Sequence, residues 1–100
     1  MKIRRDESES AIVATLGRMG ALVWRINERD LPDLLIGWRG AWLLMEVKLP
    51  GGKRGGTAHS KLSPGQERFH FLARAAGLPV HVVRTPEQAL AALGMEVRTP

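Results

Sequence analysis

The stretch Leu31-Pro32-Asp33-Leu34-Leu35-Ile36-Gly37-Trp38-Arg39-Gly40-Ala41-Trp42-Leu43-Leu44-Met45-Glu46-Val47-Lys48 decides how this chain folds. Two apolar runs meet at Arg39-Gly40. Apart from that arginine, the charges stand only at the outer ends, Asp33 on one run and Glu46 with Lys48 on the other. A two-residue connection between such runs predicts a β-hairpin with a polar site at its open end. Centred on Arg39 and Gly40, the pairing sets Trp38 opposite Ala41, Ile36 opposite Leu43 and Asp33 opposite Glu46. Side chains directly across an antiparallel pair lie roughly 4.5–5.5 Å apart at Cβ, where like charges repel. A positive group is therefore expected between the two acids. Strand alternation puts Lys48 on the same face as Glu46. Two acids able to share a divalent cation beside an amine suit the hydrolysis of a phosphodiester.

The totals set the frame for that site. One hundred residues predict a single small domain that buries a modest share of its surface and gains from oligomerisation. Hydrophobic residues make up 44% of the chain, yet no apolar run approaches the roughly 18 residues of a membrane span. The first residues, Met1-Lys2-Ile3-Arg4-Arg5-Asp6-Glu7, are polar where a secretory signal is apolar, so the protein is expected to be intracellular and without a membrane partner. There is no cysteine, which excludes disulfides and thiolate metal sites, so any bound metal uses oxygen or imidazole. A net charge of +5 and a pI near 10.8 favour a polyanionic partner. From Val47 to Pro86 the bases are Lys48, Lys53, Arg54, Lys61, Arg68, Arg74 and Arg84, against the single acid Glu67. The basic field thus follows the carboxylates in the chain.

Outside the hairpin the elements can be placed by their punctuation. Asp6-Glu7-Ser8-Glu9 has the spacing of a capping box, and Ala11, Ile12, Ala14, Leu16 and Met19 continue it as a helix over about 7–19, closed by Gly17 and Gly20. Ala21 to Ile26 reads as a strand with Leu22, Trp24 and Ile26 on one face. The hairpin strands are apolar on both faces, which places them at the centre of a sheet covered by other layers. Residues 50–62 form a glycine-rich, cationic loop, expected to be mobile and either functional or disordered. Ser63-Pro64-Gly65-Gln66 supplies an N-cap serine, a proline in the first turn and a third-position glutamine for a second helix, which Gly77 and Pro79 stop. Val80 to Arg84 is a strand, and Thr85-Pro86-Glu87-Gln88 repeats the cap for a short last helix through about Leu93. Met95 to Arg98 is an edge strand or a tail. The order is α-β-β-β-α-β-α, and the strands flanking the long loop and helix can pair in parallel through a crossover, giving a mixed sheet flanked by helices.

With Pro32-Asp33 followed by Glu46-Val47-Lys48, the sequence resembles the PD-(D/E)xK nuclease superfamily. Within it, Ser63-Pro64-Gly65-Gln66 after the E-x-K strand, Gly77 at the end of the next helix and Val82-Val83-Arg84-Thr85 resemble the virus-type replication-repair nuclease (VRR-NUC) domain. The similarity covers nearly the whole chain, from about Glu7 to Leu93, the core of a single domain over residues 1–100. It implies a restriction-endonuclease-like α/β fold with an α-β-β-β-α-β core and a short C-terminal helix. It also implies that Asp33 and Glu46 bind Mg²⁺ or Mn²⁺ with the Val47 carbonyl, and that Lys48 orients or helps deprotonate the attacking water. Gln66 would support the site, and a helix-1 glutamate, Glu9 or alternatively Glu7, would complete it. The glycine-rich insertion between Lys48 and Ser63 departs from shorter relatives. Stand-alone members are similar to homodimeric enzymes of bacteria and phages that cut four-way (Holliday) junctions, leaving 5′-phosphate and 3′-hydroxyl ends. By that resemblance the chain is expected in the cytoplasm of a bacterium or a phage-infected host. It would act on branched DNA as an Mg²⁺-dependent endodeoxyribonuclease.

Blander readings stand beside these. Asp33 can be only a polar strand start, and Glu46 with Lys48 an exposed strand end. Glu9 and Gln66 are both explained by helix capping alone. Lys53, Arg54, His59 and Lys61 are candidate phosphate contacts or a solvated loop. His70 and His81 read as structural or surface residues, and Trp24, Trp38 and Trp42 as core or dimer interface. The alternatives to junction resolution are a flap or single-strand nuclease with the same site, or a catalytically silent DNA-binding module.

Overall fold

The computed structural model describes residues 5–49 and 62–94. The 50–61 part of the basic loop, with the candidate contacts Lys53, Arg54, His59 and Lys61, lies outside them, as does the Met95 to Arg98 segment. The elements follow in the expected order: α1 (Arg5–Arg18), β1 (Leu22–Arg25), β2 (Leu34–Trp38), β3 (Ala41–Val47), α2 (Pro64–Ala75), β4 (Val80–Val83) and α3 (Pro86–Ala92).

One four-stranded sheet runs in the order β1-β2-β3-β4. The first two pairings are antiparallel and β3 runs parallel to β4, the segment between them carrying α2. The hairpin turns where the sequence predicts, with Trp38 opposite Ala41 and Leu34 opposite Met45. Arg39 and Gly40 both take positive φ, 49° and 81°, the conformation that a two-residue hairpin turn requires because its twist then matches that of the strands. Glycine accepts it freely and the arginine does not, at a cost of about 1 kcal/mol. The Arg39 guanidinium lies 4.9 Å from the centre of the Trp38 ring, a cation–π contact that offsets part of this.

The core lies on one face of the sheet. Ile12 and Leu16, one helical turn apart on α1, meet Leu34, Ile36, Met45, Val47 and Val83 from the strands and Ala89 and Leu93 from the last helical segment. Two expectations are corrected here. Helix α1 already runs from Arg5, so Asp6 lies within its first turn rather than ahead of it as an N-cap. Acids in that turn are still favoured by the helix dipole. The hairpin strands are central as expected, but their second face is only partly covered: Leu35 and Leu44 are half-buried, whereas Trp42 and its neighbour Trp24 on β1 are each 66% exposed. Neither tryptophan is core, because among the described residues no helix covers that part of the face.

Trp38 is the tryptophan that packs against the core, and its indole Nε1 is buried without a hydrogen-bond partner. An unsatisfied buried donor costs about 1–3 kcal/mol. Trp38→Phe, which removes the donor and keeps an aromatic ring, is therefore expected to leave the urea midpoint unchanged or raise it, although it deletes buried surface.

Candidate active site

The polar residues of the opening stretch come together where β2 begins and β3 ends. Continuing the observed hairpin register by one step sets Asp33 opposite Glu46. Asp33 is 8% exposed, Glu46 0% and Lys48 5%, so the blander reading of Glu46 and Lys48 as an exposed strand end is overturned. Burying three ionisable side chains costs several kcal/mol each unless they are paired and hydrogen-bonded. Their hydrogen bonds supply that pairing.

The Val47 amide donates to Asp33 Oδ2 at 2.7 Å, tying the carboxylate to the opposite strand. The Asp33 carbonyl accepts from the Ile26 amide at 2.8 Å, which extends the β1–β2 pairing to this corner. Helix α2 closes the group from the second face. Lys48 Nζ donates to Gln66 Oε1 at 2.9 Å, and Gln66 Nε2 donates to Glu46 Oε2 at 3.0 Å. The carboxamide thereby bridges the cation and the anion, and its orientation is the one this network allows.

Gln66 also completes the helix cap. Ser63 Oγ accepts from the Gln66 amide at 3.2 Å, and the Ser63 amide donates to Gln66 Oε1 at 2.9 Å. One side chain thus both completes the cap and bridges Lys48 to Glu46. Gln66→Ala is expected to cost about 1 kcal/mol of stability through the cap. If the chain has the nuclease activity that the resemblance implies, the same variant should also lower cleavage by roughly ten- to a hundredfold by freeing Lys48 and Glu46; denaturation and single-turnover kinetics measure the two effects. Ser63→Ala, which removes the cap alone, separates the two effects.

Two contributors were missed in the sequence. His70, one turn beyond Gln66 on the same face of α2, places Nε2 3.5 Å from Glu46 Oε1. Burial, then the charges of Lys48 and Arg74, hold its pKa below the usual histidine value, so the contact at neutral pH is that of an uncharged imidazole. The spacing of four from Gln66 was the available signal. Asp30, with φ 65°, brings its carboxyl against Gly65, where any Cβ would overlap it. A side chain at position 65 would therefore push the Asp30 carboxyl aside.

Glu9 ion-pairs with Arg25, at 3.4 Å from its Nε. Arg25 pairs with Leu34, the residue after Asp33, so Glu9 stands toward the same end of the sheet, though on the side of α1. Glu7 is exposed, one half-turn earlier. Arg84, at the end of β4, donates to the Leu49 carbonyl just beyond Lys48 and pins the exit of the strand.

The donor set can be tested against a divalent cation by its chemistry. Among the described residues no three His, Asp or Glu side chains are grouped as for a metal ion. Two facing carboxylates with a neighbouring backbone carbonyl nevertheless suit Mg²⁺ or Mn²⁺, hard ions commonly held by one or two carboxylates while keeping several waters. Asp33, Glu46 and the Val47 carbonyl would hold it.

Comparison with solved structures gives the architecture a relative. A structure described as a "VRR_NUC domain" superposes with a TM-score of 0.68 at 24% sequence identity, over 90% of this chain and 94% of the other. The chain has the VRR_NUC fold. No family model matches the sequence, and no curated protein matches it. In the VRR_NUC fold as this chain builds it, the hairpin delivers the acids and the lysine, and α2 carries the glutamine to them.

Proposed function

We propose that this protein is a metal-dependent DNA endonuclease that prefers branched DNA and works as a homodimer on four-way junctions. The observation that carries the reading is the buried Glu46–Gln66–Lys48 bridge with Asp33 across the hairpin, on a VRR_NUC fold. A fold that needed only stability would place apolar side chains at these positions, since replacing buried ion pairs by hydrophobic residues is often neutral or stabilising.

In this mechanism a bound Mg²⁺ supplies Lewis acidity at the phosphate and a lowered pKa for the attacking water. Asp33 and Glu46 would hold the cation, and the bond from the Val47 amide fixes the Asp33 carboxylate against the opposite strand. Lys48, held by Gln66, orients the water in line with the scissile bond and stabilises charge on the phosphoryl oxygens. The water oxygen bonds to phosphorus as its proton passes to solvent, the P–O3′ bond breaks, and the leaving 3′ oxygen takes a proton from solvent. The products carry a 5′-phosphate and a 3′-hydroxyl.

Selectivity for shape follows from what the fold lacks among the described residues. No recognition helix or zinc finger reads bases, so phosphate contacts and deformability would set the preference. A two-fold dimer has two equivalent sites, matching the two equivalent strands of a junction. Incubating the protein with an immobile four-way junction, a flap and plain duplex, with Mg²⁺ and then with chelator, tests the reading. Paired symmetric cuts in the junction, lost with chelator, are the expected result. Cuts confined to the flap would shift the reading to a flap nuclease, and binding of all three without cleavage would make the chain a silent DNA-binding module.

A further inference from the structure

Helix α2 brings a second side chain to the buried Glu46 carboxylate, and the proposed chemistry gives it no task. The capping box fixes where the helix starts, with Ser63 as the cap and Gln66 at the third position. His70, four residues on, lies one turn further along the same face. Gln66 Nε2 donates to Glu46 Oε2 at 3.0 Å, and His70 Nε2 stands 3.5 Å from Glu46 Oε1. Each oxygen of the carboxylate thus meets a different turn of one helix. His70 takes no part in the cap, so replacing it leaves Ser63 and Gln66 their mutual bonds.

Burial gives the histidine contact its direction. The Glu46 side chain is fully buried and that of His70 is 15% exposed, so little water reaches the pair. An ionised carboxylate only accepts hydrogen bonds, whereas each ring nitrogen of a neutral imidazole either donates or accepts. With the ring proton on Nδ1, the Nε2 lone pair would face a carboxylate oxygen with no proton between them. That arrangement is unfavourable for a buried anion, which needs hydrogen bonds in place of the water it has lost. The proton therefore belongs on Nε2. A carboxylate can accept about four bonds, so two donors on Glu46 are compatible with a cation there.

We infer that His70 is a positioning residue of this site: it donates from Nε2 to Glu46 Oε1 and, with Gln66 on Oε2, holds the carboxylate in the orientation in which it takes a divalent cation. The inference rests on the reading of Asp33 and Glu46 as metal ligands. The last torsion of a glutamate is broad, so a carboxylate held at one oxygen can turn about that bond. Donors on both oxygens, spaced by one turn of a capped helix, restrain the turning. The cation then meets a carboxylate whose plane is already set, and the cost of ordering it does not fall on binding. Hydrogen-bond partners of metal-ligating carboxylates change affinity by about ten- to a hundredfold when they are removed.

Two measurements on the full chain test this. In metal-free protein the ring nitrogen resonances of His70 are expected to be those of the Nε2–H tautomer, and the Nδ1–H tautomer overturns the proposal without any variant. Calorimetric titration with Mg²⁺ alone and with Mn²⁺ alone is the second. His70→Leu, which removes the donor, should weaken binding of both ions by about ten- to a hundredfold. His70→Gln, whose carboxamide nitrogen can donate in its place, should restore it to within a few-fold of wild type. Circular dichroism checks the fold, and His70→Phe replaces His70→Leu should the latter not fold. A role in packing alone predicts affinities that do not follow the donor, with both variants near wild type or both weakened, and either result overturns the proposal. Bound Mn²⁺ should show no spin-echo coupling to the nitrogen of His70. A coupling lost in His70→Gln would make the imidazole a direct ligand and overturn the positioning role. Wild-type binding with no effect of His70→Leu overturns this inference and leaves the metal reading standing, whereas a wild type that binds neither ion overturns the metal reading and this inference with it.

Discussion

Lys48→Ala is expected to lower Mg²⁺-dependent cleavage by about a thousandfold, within the range for removing a group that stabilises charge only in the transition state. The same variant should bind DNA within a few-fold of wild type, since one buried amine contributes little to a salt-dependent contact with many phosphates. In the proposed mechanism the loss belongs in kcat, because Lys48 would act on the water and the phosphoryl oxygens. Gln66 gives the experiment a control. Its Oε1 keeps the Ser63 amide as a partner when the amine is gone, so the helix cap survives. A urea midpoint near that of wild type would accordingly separate lost chemistry from lost structure. Lys48→Arg should not rescue, because a planar guanidinium cannot fill the space of a buried ammonium held at 2.9 Å from the carboxamide oxygen. Cleavage that persists in Lys48→Ala would remove this residue from the mechanism.

Glu46→Gln should have the second large effect, and it is read without any nuclease assay. The substitution keeps the volume of a fully buried side chain and removes its charge. In the wild type, Mg²⁺ or Mn²⁺ at a hundredfold over its dissociation constant is expected to stabilise the fold by about 2.7 kcal/mol through preferential binding to the native state. A chain of this size should then melt on the order of ten degrees higher with the ion than with chelator. Glu46→Gln should lose that response and with it cleavage, by at least a thousandfold. A wild-type midpoint insensitive to both ions would sink the assignment of Asp33 and Glu46 as metal ligands.

The hairpin shows how far local rules reach. Its register is set by a two-residue turn and by alternation, both contained in eighteen consecutive residues, so the facing of Asp33 and Glu46 and the placing of Lys48 beside them are legible without a structure. The caps at Ser63 and Thr85 are equally local: each is a side chain bonded to an amide three residues away. What a sequence cannot display is which face of a sheet another element covers. Trp24 and Trp42 read as core or dimer interface because strands that are apolar on both faces look buried on both, yet among the described residues α2 covers only the end of the face where Gln66 sits.

The opening stretch by itself therefore determined the pairing of the strands and the convergence of two acids and a lysine, since backbone pairing and side-chain alternation are short-range constraints. Only the tertiary structure decided that these groups are buried, that one glutamine bridges Glu46 and Lys48, that His70 and Asp30 border the site, and that Glu9 turns to Arg25. Those facts depend on where α1 and α2 come to rest against the sheet. That placement is a balance of contacts between residues far apart in the chain, and no local spacing encodes it.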